Sequence, residues 1–194
     1  MTFVNDRLAI QGAVIEAMHE ASAHHLTDAA RPLRQRIEAL CPLEVIAQEL
    51  VSVAPVSFRA RTFEIDQEGA PAILIMVKDE FGEIEDLAAF APDPPYRHAL
   101  TFGRGVAIGL GAFHDMRFHD RLRLAMHAGV WSYLRAQCRG LLPLKWDSVA
   151  LQLVERRVAG IVTPSVTEGR EIERRLARAL KPPGVFITQQ DEAA

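Results

Sequence analysis

From Ala72 to Val77 the chain reads Ala-Ile-Leu-Ile-Met-Val, six residues without one polar side chain. Turn signals bound the run on each side, Gln67-Glu68-Gly69 before it and Asp79-Glu80-Phe81-Gly82 after it, so its length suits a strand. A strand apolar on both faces belongs at the centre of a sheet, covered from two sides. Its neighbours in sequence supply the rest of that sheet. Phe58, Ala60, Thr62 and Glu64 alternate with Arg59, Arg61, Phe63 and Ile65, which predicts a strand with mixed faces. A strand is predicted over 84–90, a stiff loop over Ala91-Pro-Asp-Pro-Pro95, and a short strand over 98–102. Residues 56–103 thus read as an antiparallel meander.

The segment before it has helical spacing. Leu8, Ala9, Val14, Ile15, Met18 and Ala21 predict a helix over 6–25, with His24 and His25 at its end, where an imidazolium favours the helix dipole. A second helix is expected over 28–40, capped by Thr27 or Asp28, and a third over 43–53, ended by Pro55. After the meander, helices are expected over 122–138, 147–156 and 165–180, with short strands at 141–145, 159–162 and 185–188. Trp131 and Tyr133 on the first of these helices, and Phe90 in the meander, are assigned to the core. The fold class is α+β: a helical layer over 6–53, the β meander over 56–103 and a C-terminal α/β unit over 120–188. One compact domain over 1–190 is expected, with a frayed tail over 190–194. A mean hydropathy near zero (+0.04) and 49% hydrophobic residues are those of a soluble globular protein. No apolar run reaches the length of a membrane span, and the N-terminus lacks a signal-peptide layout, so the expectation is cytoplasmic.

Signals for chemistry are sparse. Asp79, Glu80, Glu83, Glu85 and Asp86 crowd into eight residues, and Asp79 and Glu80 are metal-ligand candidates because hard cations take carboxylate oxygens. The competing reading is a solvated hairpin. His114 and His119 each precede an Asp and suit zinc or iron by composition. Their separation of five residues puts them on different sides of a helix, so they converge only on a loop. The segment Gly103-Arg-Gly105-Val-Ala-Ile-Gly109-Leu-Gly111 is not G-x-G-x-x-G and lacks a P-loop's Lys-Ser/Thr; turns and close backbone packing account for it. Cys41 and Cys138 have no partners at zinc-site spacing. No cofactor is expected, and no catalytic constellation is organised.

Charge divides the chain more sharply than its total of −3 suggests. Residues 1–100 hold 8 basic and 16 acidic side chains, and residues 101–194 hold 14 and 9. Either the two halves attract each other or the basic half meets an anionic partner. Arg170, Arg174 and Arg178 recur every four residues along the last helix and are the candidates for contact with a nucleic-acid backbone. Glu171 is expected to pair with Arg175, and no aromatic interleaves the stripe, which argues against base stacking there.

Two resemblances follow. Asp79-x-x-Gly82-x-x-x-Asp86-Leu87-x-Ala89-Phe90, followed by Trp131-x-Tyr133-Leu134-Arg135-Ala136-x-Cys138-x-Gly140, resembles a family of uncharacterised alphaproteobacterial proteins found in prophage and plasmid settings. That likeness implies an accessory or interaction protein of a mobile element, working through a protein partner or as a homo-oligomer. Thr163-Pro-Ser-Val-Thr-Glu-Gly-Arg170 is similar to the turn that opens a helix in the Toprim folds of primases. Those folds carry two aspartates in the turn and acidic metal ligands at a strand end. Gly169 and Arg170 are retained here and the aspartates are not. This second likeness implies a metal-dependent enzyme that processes nucleic acid or handles phosphate.

Overall fold

The computed structural model describes residues 2–113 and 123–180. The apolar run lies in β3 (Ala70–Lys78), the middle member of a five-stranded antiparallel sheet. The others are β1 (Val51–Arg59), β2 (Thr62–Ile65), β4 (Ile84–Phe90) and β5 (His98–Leu100), in the order β2-β1-β3-β4-β5. All six residues from Ala72 to Val77 are buried. Alternation sends Ala72, Leu74 and Met76 to one face, against Val14, Met18 and Ala21 of α1 (Thr2–His25). Ile73, Ile75 and Val77 go to the other face. There they meet Leu33 and Ile37 of α2 (Arg31–Glu38), Ile46 of α3 (Leu43–Gln48), and Val130 and Leu134 of α4 (Val130–Arg135). The class is α+β, and the central strand has the two-sided cover its composition requires.

The helical layer is shorter than its periodicity predicts. It ends at Gln48, and β1 begins at Val51, so Pro55 lies inside a strand and terminates no helix. The strand tolerates it because of register. Pro55 faces Pro71 across the β1–β3 ladder, while its carbonyl accepts the Asp66 N–H from the β2 side at 3.0 Å. N–H and C=O of one residue point the same way in a strand, so the missing donor falls where β2 has already ended. The strand predicted over 58–65 is in fact a hairpin, turning at Ala60 (φ 44°). The first cap also differs: α2 starts at Arg31 behind Ala30, and Thr27 instead bonds the His24 carbonyl.

The C-terminal unit is built on β6 (Ala107–Ile108), β7 (Arg123–Ala125), β8 (Leu142–Pro143) and β9 (Gly160–Val162). β7 runs parallel to β9, β6 antiparallel to β8, and a Met126–Leu141 bridge joins the pairs. Residues 123–125 are therefore strand, and the helix predicted over 122–138 shrinks to α4. β6 lies within the glycine-rich segment, whose close approaches are real. A Cβ on Gly109 (φ 79°) would sit 2.1 Å from the Gly140 carbonyl oxygen. α5 (Trp146–Glu155) and α6 (Val166–Ala179) complete the unit, with Ser165 Oγ capping α6 by accepting the Glu168 N–H at 3.2 Å. The strand predicted over 185–188 lies outside the described residues. Among the described residues no helix is long and apolar enough to cross a membrane.

Candidate functional site

The parallel strands β7 and β9 end at the same edge, and ligands of α/β sheets bind outside such carboxyl ends. Just past the end of β7 a cavity of about 340 Å³ opens between the C-terminal unit and the five-stranded sheet. Ala128, Gly129, Trp131 and Arg135 line it from the end of β7 and from α4, Glu168 and Arg175 from α6, and Tyr96, Arg97 and His98 from the sheet side. Three arginines from three segments thus face one cleft.

Each wall is fixed by local chemistry. The loop after β4 is closed by the Ala91 N–H donating to the Arg97 carbonyl at 2.9 Å, and its prolines stiffen it. Tyr96 projects from this loop with 66% of its surface exposed. Trp131 Nε1 donates to the Pro92 carbonyl at 2.8 Å, tying α4 to the loop, and the Arg36 guanidinium lies 3.8 Å from the Trp131 ring centroid. Trp131 is therefore half-buried at a cleft wall, whereas Tyr133 and Phe90 are core residues as predicted. The Arg97 guanidinium lies over Phe58 at 4.4 Å. His98 bonds the Leu144 carbonyl at 3.0 Å through Nε2, and burial holds its pKa below the ordinary 6.5.

The strand ends do not fit a divalent cation. Thr163 Oγ donates to the Ser165 carbonyl, Ser165 Oγ is the α6 cap, and His127 Nε2 bonds the Arg139 carbonyl at 2.9 Å. Among the described residues that line the cleft, Glu168 is the one carboxylate, and its Oε2 accepts the Ala128 N–H at 3.1 Å. Hard cations select several oxygen ligands, carboxylates above all. Among the described residues no group of three or more His, Cys, Asp or Glu is placed to hold a metal ion.

The other candidates lie elsewhere. Asp79 and Glu80 stand in the β3–β4 turn, Asp79 paired with Arg7 at 2.6 Å and Glu80 with Arg156 at 2.7 Å. Asp86, grouped with them by sequence as part of a solvated hairpin, is fully buried. His114 and His119 lie outside the described residues. Arg170, Arg174 and Arg178 are all exposed on α6, and Glu171 pairs with Arg174 as well as with Arg175. The sequence does not disclose the cleft, because its residues come from positions 90–98, 128–135, 142–143 and 168–175 with no linear motif. The one available signal was Tyr96-Arg97-His98, a polar and aromatic triplet behind a stiff proline loop.

No protein-family model matches the chain, and no curated protein matches its sequence. Solved structures do. The chain is similar to the DnaG catalytic core (TM-score 0.57, 14% identity, 88% of this chain and 66% of that one) and to a DnaG primase catalytic domain bound to single-stranded DNA, with the same values. It is also similar to the Aquifex aeolicus primase, comprising zinc-binding and RNA polymerase domains (TM-score 0.60, 12% identity, 88% and 52%). The chain spans about half to two thirds of the length of these proteins. At such identities the likeness is one of fold alone.

Proposed function

We propose that the chain binds single-stranded nucleic acid in the cleft between its five-stranded sheet and its C-terminal unit. Arg97, Arg135 and Arg175 would contact phosphates, and Tyr96 would offer a face on which a base stacks. The observation that carries this reading is the convergence of three arginines and an exposed aromatic on the cleft beside the carboxyl end of β7. The fold supports it, since a similar primase domain is described bound to single-stranded DNA. The chain is read as a nucleic-acid-handling protein.

Fluorescence anisotropy of a labelled 20-nucleotide single strand, titrated at several salt concentrations, tests this. Binding should weaken steeply with salt. Replacing Arg97, Arg135 and Arg175 together by Ala should lower the slope of log K against log salt by about 2, near 0.7 per lost single-strand contact. Absence of binding at low salt, or a slope unchanged in the triple variant, overturns the reading.

A further inference from the structure

Glu168 does not belong in a site made only for phosphate. It lines the same cleft as Arg97, Arg135 and Arg175, yet among the described residues it forms no ion pair with any of them. Arg175, on the same helix, pairs instead with Glu171 and lies over the Trp146 ring at 5.0 Å. The Glu168 carboxylate is held in place at one oxygen by the Ala128 N–H, at 3.1 Å. A fixed anion in a cationic cleft repels the polyanion that the cleft attracts. That repulsion is offset only where the ligand presents hydrogen-bond donors to it.

We infer that Glu168 reads a nucleobase edge, selecting bases with adjacent N–H donors, guanine above all, over thymine. Guanine offers N1–H and the N2 amino group side by side, which a carboxylate accepts together. Thymine offers one imide N–H flanked by carbonyl oxygens that the carboxylate repels. A well-placed carboxylate-to-base contact discriminates by about fivefold or more. This inference rests on the proposed binding of single strands in the cleft and adds base selectivity to it.

The test compares three labelled 12-nucleotide strands: oligo(dT), the same strand with one central guanine, and the same strand with inosine there, which lacks the N2 amino group. The wild-type chain should bind the guanine strand about fivefold or more tighter than oligo(dT), with inosine between. Glu168→Gln keeps an acceptor for the Ala128 N–H, which a melting curve checks. This variant should lose the guanine preference and bind oligo(dT) more tightly, because a negative charge has left the cleft. Salt-dependent binding of all three strands with equal affinity overturns the inference and leaves the single-strand reading standing. No binding of any strand overturns both. A fourth labelled 12-nucleotide strand, oligo(U) made of ribose, serves as a control: a Glu168-dependent preference for it over oligo(dT) overturns base readout in favour of contact with a 2′-hydroxyl.

Discussion

Asp86 shows how one buried carboxylate can organise a loop. It is fully buried, and it accepts N–H groups from Leu87 at 2.9 Å, Phe102 at 2.9 Å, Arg104 at 2.7 Å and Gly105 at 3.0 Å. Four donors replace the water an ionised carboxylate would lose on burial. Asp86→Asn turns one acceptor oxygen into a donor facing other donors. The expected cost is about 3 kcal/mol, a fall in Tm of roughly 6–12 °C for a chain of this size. A melting curve within 2 °C of the wild type would mean that Lys145, whose Nζ bonds the Gly103 carbonyl at 2.5 Å, holds the loop unaided. Histidine chemistry sets a second expectation. His25 sits at a helix end, where the sequence favours an imidazolium, but its Nδ1 accepts the Val53 N–H at 3.1 Å and must be neutral to do so. Burial lowers the pKa of both His25 and His98 from 6.5. The unfolded chain therefore binds these protons more readily, so their contribution to stability is complete above pH 6.5 and lost as pH falls through the folded values. Glu85, raised mainly by burial, acts in the opposite sense. The urea midpoint should drop between pH 7.5 and 5.5, and by less in His25→Asn, which keeps an acceptor but does not titrate there. Equal drops in the two proteins would remove His25 from the account.

At the scale of elements, what the sequence disclosed depended on whether a segment's partner could be inferred from its own pattern. β3 and β4 were legible because an apolar run between two turn signals has few alternatives to a central strand. β1 was not. Residues 43–53 have helical spacing as far as Gln48, and Pro55 resembles a stop signal until Pro71 is seen opposite it. The register that makes the proline harmless is a property of two strands, invisible in either. The helix expected over 122–138 failed for a related reason. Leu124 and Met126 alternate into a strand that β9 completes by parallel pairing, a long-range contact without local signature. Gly129 stands extended at φ −155°, ψ 164°, just where α4 begins. The α6 N-terminus, by contrast, followed local rules: Ser165 precedes Glu168 in the capping-box pattern. Ser165→Ala should cost about 1 kcal/mol, or roughly 2–4 °C in Tm. It should also weaken single-strand binding, since the helix it starts carries both Glu168 and Arg175 into the cleft. A lowered Tm with unchanged affinity would show that α6 keeps its position without the cap.

Across the whole molecule, the opposed charges of the two halves find little outlet inside the fold. Among the described residues one ion pair joins them, Arg156 with Glu80 at 2.7 Å. The arginine stripe of α6 is exposed and, among the described residues, makes no ion pair with the acidic half, so mutual attraction of the halves does not account for it. Its position suggests another role. Arg178 follows Arg175 by three residues, and Arg174 and Arg170 continue back at intervals of four, so the stripe begins beside a residue of the cleft wall. A strand leaving the cleft on that side would run along it. Replacing Arg170, Arg174 and Arg178 together by Ala should hardly alter stability, because exposed helix-face substitutions stay within about 0.5 kcal/mol each. Binding should separate by length. A trinucleotide, too short to fill the cleft and also reach along the stripe, should bind the variant as it binds the wild type. A 20-nucleotide strand should lose affinity and show a slope of log K against log salt shallower by about 2, from three contacts at 0.7 each. The cleft variant, in which Arg97, Arg135 and Arg175 are replaced, should lose affinity for both lengths. If the stripe variant instead binds the two lengths like the wild type, the polynucleotide path stops at Arg175. If its melting temperature falls by more than about 4 °C, the stripe serves the fold.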